Sequence, residues 1–184
     1  MAYRAFRHAV RREFVKTMKK EMNYRRIKSD AKSRSESKKV ETPFGTFWMS
    51  PIEFQLYEAM RDEGLSPRPQ FYIEGYFVDF AFPDVNLAIE ADGVEFHSGD
   101  RRQRDQKRDW VIRRAGWTVK RFKGTTIYDR ASNCAFVIKR EVEERRMQER
   151  ERERQRKIKR QKQMEAIARP FKKGAKFLRR KKED

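Results

Sequence analysis

Carboxylates are concentrated between residues 76 and 97, in the stretch YFVDFAFPDVNLAIEADGVEFH. Alternating apolar and polar residues predict two strands joined by a turn at residues 83–84. A hairpin centred there places Asp79 directly opposite Glu90, at roughly 5 Å between Cβ atoms, while Asp92 points the same way as Glu90. Three carboxylates this close repel one another unless a proton or a divalent cation relieves them. Hard oxygen ligands of this kind suit Mg²⁺ or Mn²⁺.

His97 follows the second strand, after Gly93, and is near enough in sequence to serve the same site. A neutral imidazole can accept a proton near neutral pH. The alternative for His97 is a structural role, in which it caps the strand or hydrogen-bonds a backbone carbonyl. Each carboxylate taken singly could likewise be an edge or turn residue. The matched register of the whole set favours a functional site.

Two strands and a helix are expected to position these groups. The predicted apolar face of the two strands consists of Val78, Phe80 and Phe82 in the first and Val85, Leu87, Ile89 and Ala91 in the second. A helix begins at Ser50, where Ser50-Pro51-Ile52-Glu53 forms a capping box, and ends at Gly64. Capping of the helix is sufficient to explain a glutamate at position 53. The alternative is a functional role, in which the Glu53 carboxylate reaches the active site.

Further elements surround this hairpin. A strand over 68–73 turns at Gly75, a helix spans 101–115, and a last strand spans 117–122 with Trp117, Val119 and Arg121 on one face. The inner side of the 101–115 helix is predicted to consist of Trp110, Val111, Ile112 and Ala115. Asp105 and Arg108, three residues apart, can pair with each other on that helix.

Both ends of the chain predict helices. Residues 2–28 have an apolar stripe that includes Met18 and Met22, and this helix either docks on the core or orders on nucleic acid. Residues 29–42 predict a flexible linker. A long helix is expected over 131–168, ending at Pro170, with Phe136, Val137 and Val142 against the core. Beyond Glu144 it becomes a solvated, highly charged segment or is disordered.

Charge divides the chain into three parts. Of the formal net charge of +19, residues 1–45 carry +9, residues 141–184 carry +9 and residues 46–140 carry +1. This predicts a basic helical arm with its linker over 1–45, a globular core over 46–140 and a basic helical extension over 141–184. Such arms attract polyanions, of which nucleic acid is the commonest. They lack the wide apolar face of a membrane-surface helix, so we expect no membrane partner.

The cysteine content and the hydropathy limit the possible disulfides, zinc sites, cellular compartments and membrane segments. Cys134 is the single cysteine, which excludes an internal disulfide and a zinc site built from several cysteines. It fits a reducing, intracellular compartment, and we expect the cytoplasm or nucleoid of a prokaryotic or phage-infected cell. There is no apolar run of about 18 residues, so no membrane-spanning segment is predicted. The absence of an apolar region near the N-terminus argues against a secretory signal.

A succession of short motifs carries a family resemblance. They are Ser50-Pro51-x-Glu53, Arg68-Pro69-Gln70, Val78-Asp79-Phe80, Ile89-Glu90-x-Asp92-Gly93-x-x-x-His97, Asp105-x-x-Arg108, Gly116-Trp117 and Arg121-Phe122. Over about residues 50–125 this order resembles the PD-(D/E)XK restriction-endonuclease-like superfamily. The most similar branch contains the very-short-patch repair endonucleases and the homing endonucleases with an E-D-x-H-D set of active-site residues.

The resemblance implies an α/β fold, with a restriction-endonuclease-like mixed β-sheet flanked by helices, and metal-dependent cleavage of DNA. It implies that Asp79 is the central metal ligand, with Glu90 and Asp92 in the (D/E)-x-K element, and that His97 is a general base or stabilises the transition state. Glu53 and Asp105 are implied as supporting acidic residues. Asp92 occupies the position of the superfamily's lysine, and His97 is its substitute. The zinc and the mismatch specificity of the very-short-patch enzymes are not carried over.

The sequence therefore predicts a Mg²⁺- or Mn²⁺-dependent endonuclease that acts on DNA, with RNA as the alternative substrate and no small-molecule cofactor. The predicted metal ligands are Asp79, Glu90 and Asp92. The competing hypothesis is a nucleic-acid-binding or assembly protein that has kept the fold without catalysis. Basic residues beside the site are expected to contact nucleic acid, with Arg108 alternatively orienting Asp105. They are Arg101, Arg102, Arg104, Arg108, Lys120, Arg121 and Lys123.

Overall fold

A computed structural model describes residues 36–92 and 99–180, together with residues 17, 18, 20–22 and 25; the side chains of residues 92, 99–104 and 168–180 are not described. The predicted His97 and most of the 2–28 helix therefore lie outside the described residues. Contacts divide the chain into two units, Met1–Val142 and Glu143–Asp184.

In its described residues the first unit contains six strands and two helices, and a third helix begins there. In chain order these are β1 (Lys38–Thr42), β2 (Gly45–Met49), α1 (Pro51–Asp62), β3 (Arg68–Ile73), β4 (Tyr76–Phe82), β5 (Leu87–Asp92), α2 (Gly99–Arg114), β6 (Thr118–Lys123) and α3 (Gly124–Arg180), which continues into the second unit. A 3₁₀ turn at Pro83–Val85 joins β4 to β5, as the sequence predicts. β1 and β2 form a hairpin of their own.

The central sheet has the order β3-β4-β5-β6 and is mixed. β4 is antiparallel to both β3 and β5, whereas β5 and β6 are parallel and are connected through α2. Parallel neighbours need a crossover of this kind, and a helix is its usual form. The predicted α/β fold with a mixed sheet and flanking helices is confirmed.

Two clusters of buried side chains cover opposite faces of this sheet. On one face Leu56 and Met60 of α1 and Ile138 of α3 pack with Phe80 and Ile89. On the other, Ile112 of α2 packs with a smaller cluster that includes Ile73, Val78, Ala81 and Ala88. The sheet therefore lies between α1 and the beginning of α3 on one side and α2 on the other.

Several local predictions are wrong. Lys38–Thr42, predicted as linker, forms β1, and its Val40 reaches the core. Trp110, predicted on the inner side of α2, is 60% exposed, because the face that Ile112 and Arg108 turn toward the sheet lies on the opposite side of the helix. Ala115 is also exposed, beyond the end of α2.

The long C-terminal helix also departs from expectation. α3 begins at Gly124 and has a non-helical residue, Arg130, beyond which the predicted helix does begin. Phe136 and Val137 are exposed, because Cys134, Ala135, Ile138 and Val142 supply its buried face. Helical structure continues past Pro170 to Arg180, so the predicted end is wrong.

The second unit, Glu143–Asp184, is described separately. Its described side chains are mostly exposed, and they include ion pairs of Glu149 with Arg152 at 3.6 Å and with Arg156 at 3.8 Å. Such exposed pairs contribute little stability individually.

Met18 and Met22 of the N-terminal segment are exposed as well. None of the described helices combines the length and apolar character needed to cross a membrane.

Candidate active site

Asp79 lies at an irregular point of the central sheet. The regular pairing of β3 with β4 skips the residues Gln70 and Asp79, and Gln70 has a φ of 45°, in the left-handed region. This irregularity changes the alternation of β4: Phe80 packs in one cluster, whereas Val78 packs in the other. The prediction that Val78 and Phe80 share a face is therefore wrong.

The pairing of β4 with β5 places Asp79 beside Glu90. Phe80 pairs with Ile89, so one further step along the register brings Asp79 opposite Glu90. The Oδ2 atom of Asp79 accepts a hydrogen bond of 2.8 Å from the backbone N–H of Ala91. Asp79 thus lies against β5, beside Ala91, although the regular pairing of the two strands ends at Phe80 and Ile89.

The Asp79 carboxylate lies within electrostatic range of two others, those of Glu53 and Glu90. Burial raises the pKa of Asp79 to about 8, and the negative charges of Glu53 and Glu90 act in the same direction. The Ala91 N–H and the Arg108 guanidinium oppose this rise in pKa without cancelling it. Burial, with two neighbouring carboxylates, therefore disfavours the charged form of Asp79.

Glu53 has both roles that the sequence left open. Its Oε2 atom accepts a hydrogen bond of 2.9 Å from the backbone N–H of Ser50, while its own N–H donates to Ser50 Oγ at 3.3 Å, which completes the capping box. Its charge also raises the pKa of Asp79. The cap thus holds a carboxylate at the N-terminus of α1, within electrostatic reach of Asp79.

Glu90 is the one charged residue among the buried side chains of the described chain, with 2% exposure. Arg108 reaches it from α2, with Nη2 at 2.6 Å from Oε1 and Nη1 at 3.0 Å from Oε2. Arg121 reaches it from β6, with Nε at 3.0 Å from Oε2. Arg108 also donates to the carbonyl of Phe77 at 2.6 Å, and it does not pair with Asp105 as the spacing predicted.

The ion pairs continue to the far side of Arg121. Both Nη atoms of Arg121 bind the Asp109 carboxylate, and Arg113 lies 3.9 Å from it. The hydrogen bond from Arg121 lowers the pKa of Asp109 from its ordinary range, against the effect of burial. This network of Arg108, Glu90, Arg121 and Asp109 was not predicted. The parallel pairing of Glu90 with Arg121 could have suggested it, since both side chains lie on the same side of neighbouring strands.

The remaining predicted site residues are described only in part. His97 and the side chains of Asp92, Arg101, Arg102 and Arg104 lie outside the description. Asp105 and Lys123 are exposed. Lys120 Nζ donates to Glu141 Oε2 at 2.6 Å, so Lys120, Arg108 and Arg121 all have carboxylate partners within the protein.

The oxygen ligands available at this site are of the type that hard divalent cations prefer. Asp79 and Glu53 offer carboxylate oxygens; the pKa of Asp79 is raised by burial first and by repulsion second, and a bound cation would favour its charged form. Among the residues whose side chains are described, no group of three potential ligands is close enough to hold a metal ion. A complete ligand set would need Asp92 or other groups outside the described side chains.

Comparison with known proteins identifies the class of this domain. Residues 53–142 match the model of a family described as REase_MTES_1575, which is restriction-endonuclease-like. This segment includes α1, the central sheet, α2 and the first part of α3. The matched segment is restriction-endonuclease-like, as the motifs predicted.

Two curated relatives are similar over a shorter segment. The uncharacterized proteins MT2308 and Rv2248, from two strains of Mycobacterium tuberculosis, are each 35% identical over 77 residues. The match covers 38% of this chain and 28% of each relative, so the chain spans little more than a quarter of their length. Among solved structures, the catalytic domain of the homing endonuclease I-Bth0305I aligns with 20% identity and a TM-score of 0.42, over 50% of this chain and 92% of that domain.

Proposed function

We propose that this protein is a metal-dependent endonuclease that hydrolyses phosphodiester bonds of DNA. The observation that carries the proposal is the Asp79 carboxylate, held against β5 by the Ala91 N–H with Glu53 and Glu90 in electrostatic range, within a restriction-endonuclease-like segment. A protein that only binds phosphate gains nothing from carboxylates that face a polyanion. Carboxylates of this kind are useful where a divalent cation comes between them and the phosphate.

Asp79 and Asp92 are the proposed metal ligands, and Glu53 is the acidic residue that supports them. Mg²⁺ bound there would polarise the scissile phosphate and lower the pKa of a bound water. His97 is proposed to accept a proton during the reaction, and Asp105 is proposed as a further supporting carboxylate. Glu53 is well suited to its role because the Ser50 cap fixes its side chain.

The basic termini are proposed to supply affinity for the DNA backbone without reading its sequence. Residues 1–45 and 141–184 each carry a net charge of +9. Contacts of this kind release counterions, so affinity falls steeply as salt is added. The described side chains of the second unit are mostly exposed, as such a role requires.

The test is nicking of supercoiled plasmid by the full chain with Mg²⁺, with Mn²⁺, or with EDTA. We expect conversion to the open-circular or linear form with either metal and none with EDTA. The Asp79→Asn variant, purified in the same way, controls for contaminating nucleases. Binding without cleavage under all three conditions would overturn the proposal in favour of a non-catalytic nucleic-acid-binding protein, and cleavage confined to RNA would change the substrate.

A further inference from the structure

The surroundings of Glu90 differ from those of Asp79 in their charge balance. Glu90 and Asp109 supply two negative charges, and Arg108 and Arg121 supply two positive ones, all joined by contacts of 3.0 Å or less. The charges of these four residues balance without a metal ion, and Arg113 lies further out, 3.9 Å from Asp109. Asp79, in contrast, has its pKa raised to about 8 by burial and by neighbouring carboxylates.

Both oxygens of Glu90 lie beside guanidinium groups, Oε2 in hydrogen bonds and Oε1 in an ion pair without hydrogen-bond geometry. Oε1 lies 2.6 Å from Arg108, and Oε2 lies 3.0 Å from both Arg108 and Arg121. A divalent cation on either oxygen would lie close to two positive charges and would have to displace a buried ion pair. The loss of that pairing would oppose the binding of the metal.

Arg108 joins the ion network to the strand that carries Asp79. Its Nη2 atom donates to the carbonyl of Phe77, two residues before Asp79 on β4, at 2.6 Å. The same guanidinium holds Glu90 on β5, and its charge acts on Asp79. Arg108 therefore ties α2 to both strands of the site, with its Nη atoms engaged inside the protein.

We propose that Glu90 is a positioning residue and not a metal ligand: it anchors Arg108, whose guanidinium is a fixed positive charge beside Asp79. This inference rests on the proposed function of the Asp79 site, which it refines in two ways. Glu90, the acidic residue of the (D/E)-x-K element, serves as an internal counterion for Arg108. Arg108 and Arg121 belong to the framework of the site instead of contacting phosphate.

The first test is a double-mutant cycle on thermal unfolding of the full chain, using Glu90→Gln, Arg108→Met and the double variant. We expect each single substitution to lower Tm by several degrees, because Arg108→Met leaves the buried Glu90 with Arg121 alone, and Glu90→Gln removes the carboxylate that Arg108 and Arg121 share. The double variant should lose much less than the sum of the two. Glu63→Gln and Lys139→Met, which remove a half-exposed pair at 3.0 Å, are the matched control and should lower Tm by only a few degrees.

The second test is calorimetric titration of folded protein with Mn²⁺ in the absence of DNA. Asp79→Asn should lose about tenfold or more in affinity, whereas Glu90→Gln should stay within a few-fold of the parent. If Glu90→Gln loses Mn²⁺ affinity as Asp79→Asn does, with an unchanged Tm, Glu90 is a ligand and the inference is wrong. Additive Tm losses in the cycle would also overturn it.

A milder variant decides the question if Glu90→Gln does not fold. Arg108→Lys keeps the positive charge but cannot hold both Glu90 oxygens and the Phe77 carbonyl, because its ammonium is a single point. We expect a lower kcat for nicking with an unchanged KM for DNA, since substrate contacts are intact. A raised KM with an unchanged kcat would identify Arg108 as a DNA contact. If the parent neither nicks DNA nor binds Mn²⁺, the proposed function fails, and the unfolding cycle still tests the pairing of Glu90 with Arg108.

Discussion

The Asp79 carboxylate on β4 accepts the backbone N–H of Ala91 on β5 at 2.8 Å. One oxygen is therefore committed to holding the two strands together at the point where the regular pairing of β3 with β4 is interrupted. An asparagine at this position can still accept that N–H through its amide oxygen. The charge of Asp79 can thus be removed without removing the hydrogen bond.

Asp79→Asn is predicted to abolish metal-dependent nicking while DNA affinity is unchanged or raised. The substitution removes a proposed metal ligand and one of the mutually repelling charges. We also expect a higher Tm than the parent in EDTA at neutral pH, because the buried carboxylate and its repulsion are gone. Nicking assays, filter binding and thermal unfolding on one preparation measure all three effects. Nicking at the parental rate would refute the site.

The Glu53→Gln variant is predicted to distinguish the capping role of Glu53 from its role as a charged residue at the metal site. Glutamine at the third helical position can still accept the Ser50 N–H, so the capping box and Tm should be retained. The lost charge should lower the nicking rate if Glu53 supports the metal site. Ser50→Ala is the reciprocal variant: it should lower stability by about 1 kcal/mol through loss of the cap. If Glu53→Gln is as active as the parent, the residue is a cap and nothing more.

Much of the fold was accessible from the sequence because local signals agree with the tertiary structure there. The capping box at Ser50, the turn at Pro83–Val85 and the pairing of β4 with β5 depend on nearest neighbours in the chain. The errors arose where the spacing of apolar residues along a helix was compatible with two different buried faces. In α2 the aromatic Trp110 suggested a buried face, but the face toward the sheet is the one that carries Arg108 and Ile112.

The ion network could not be derived from the same signals. Arg108, Glu90 and Arg121 come from a helix and two strands that are far apart in sequence, and only the crossover through α2 brings them together. A basic residue near an acidic site is equally compatible with a phosphate contact and with an internal counterion. Burial distinguishes the two, and a sequence does not report burial for a charged residue.

The stability of the wild-type protein in acid is predicted to depend on Asp109. Arg121 depresses the pKa of Asp109 in the folded state, so the pairing contributes stability above the ordinary carboxyl pKa of 3.8 and loses it as the pH falls through the folded-state value. Asp109→Asn should therefore have a lower Tm than the parent from pH 5 to 7, and the difference should shrink below about pH 4. Asp62→Asn, at an exposed carboxylate, is the control. A difference that grows in acid would contradict the pairing.

Removal of residues 143–184 is predicted to weaken binding to any DNA duplex and to flatten its dependence on salt. The segment contains 18 basic residues, and each phosphate contact that is lost reduces the slope of log K against log salt by about 0.9. The cut belongs after Val142, because Val142 is fully buried and Glu141 pairs with Lys120. Binding should be measured at several salt concentrations, with Tm as the control for folding. An unchanged slope in a folded variant would show that this segment is not a phosphate binder.

His97→Ala is predicted to lower the nicking rate by roughly 10² to 10⁴, the usual range for one acid–base group, with little change in Tm. The position of His97 supports this role, because it follows Glu90-x-Asp92-Gly93 and no lysine occupies the position after the acidic pair. His8, the other histidine of the chain, provides the matched control, and His8→Ala should nick at the parental rate. Nicking by the parent should decline on acidification, because a protonated imidazole cannot accept a proton. A lowered Tm with near-normal turnover of the folded fraction would instead assign His97 a structural role.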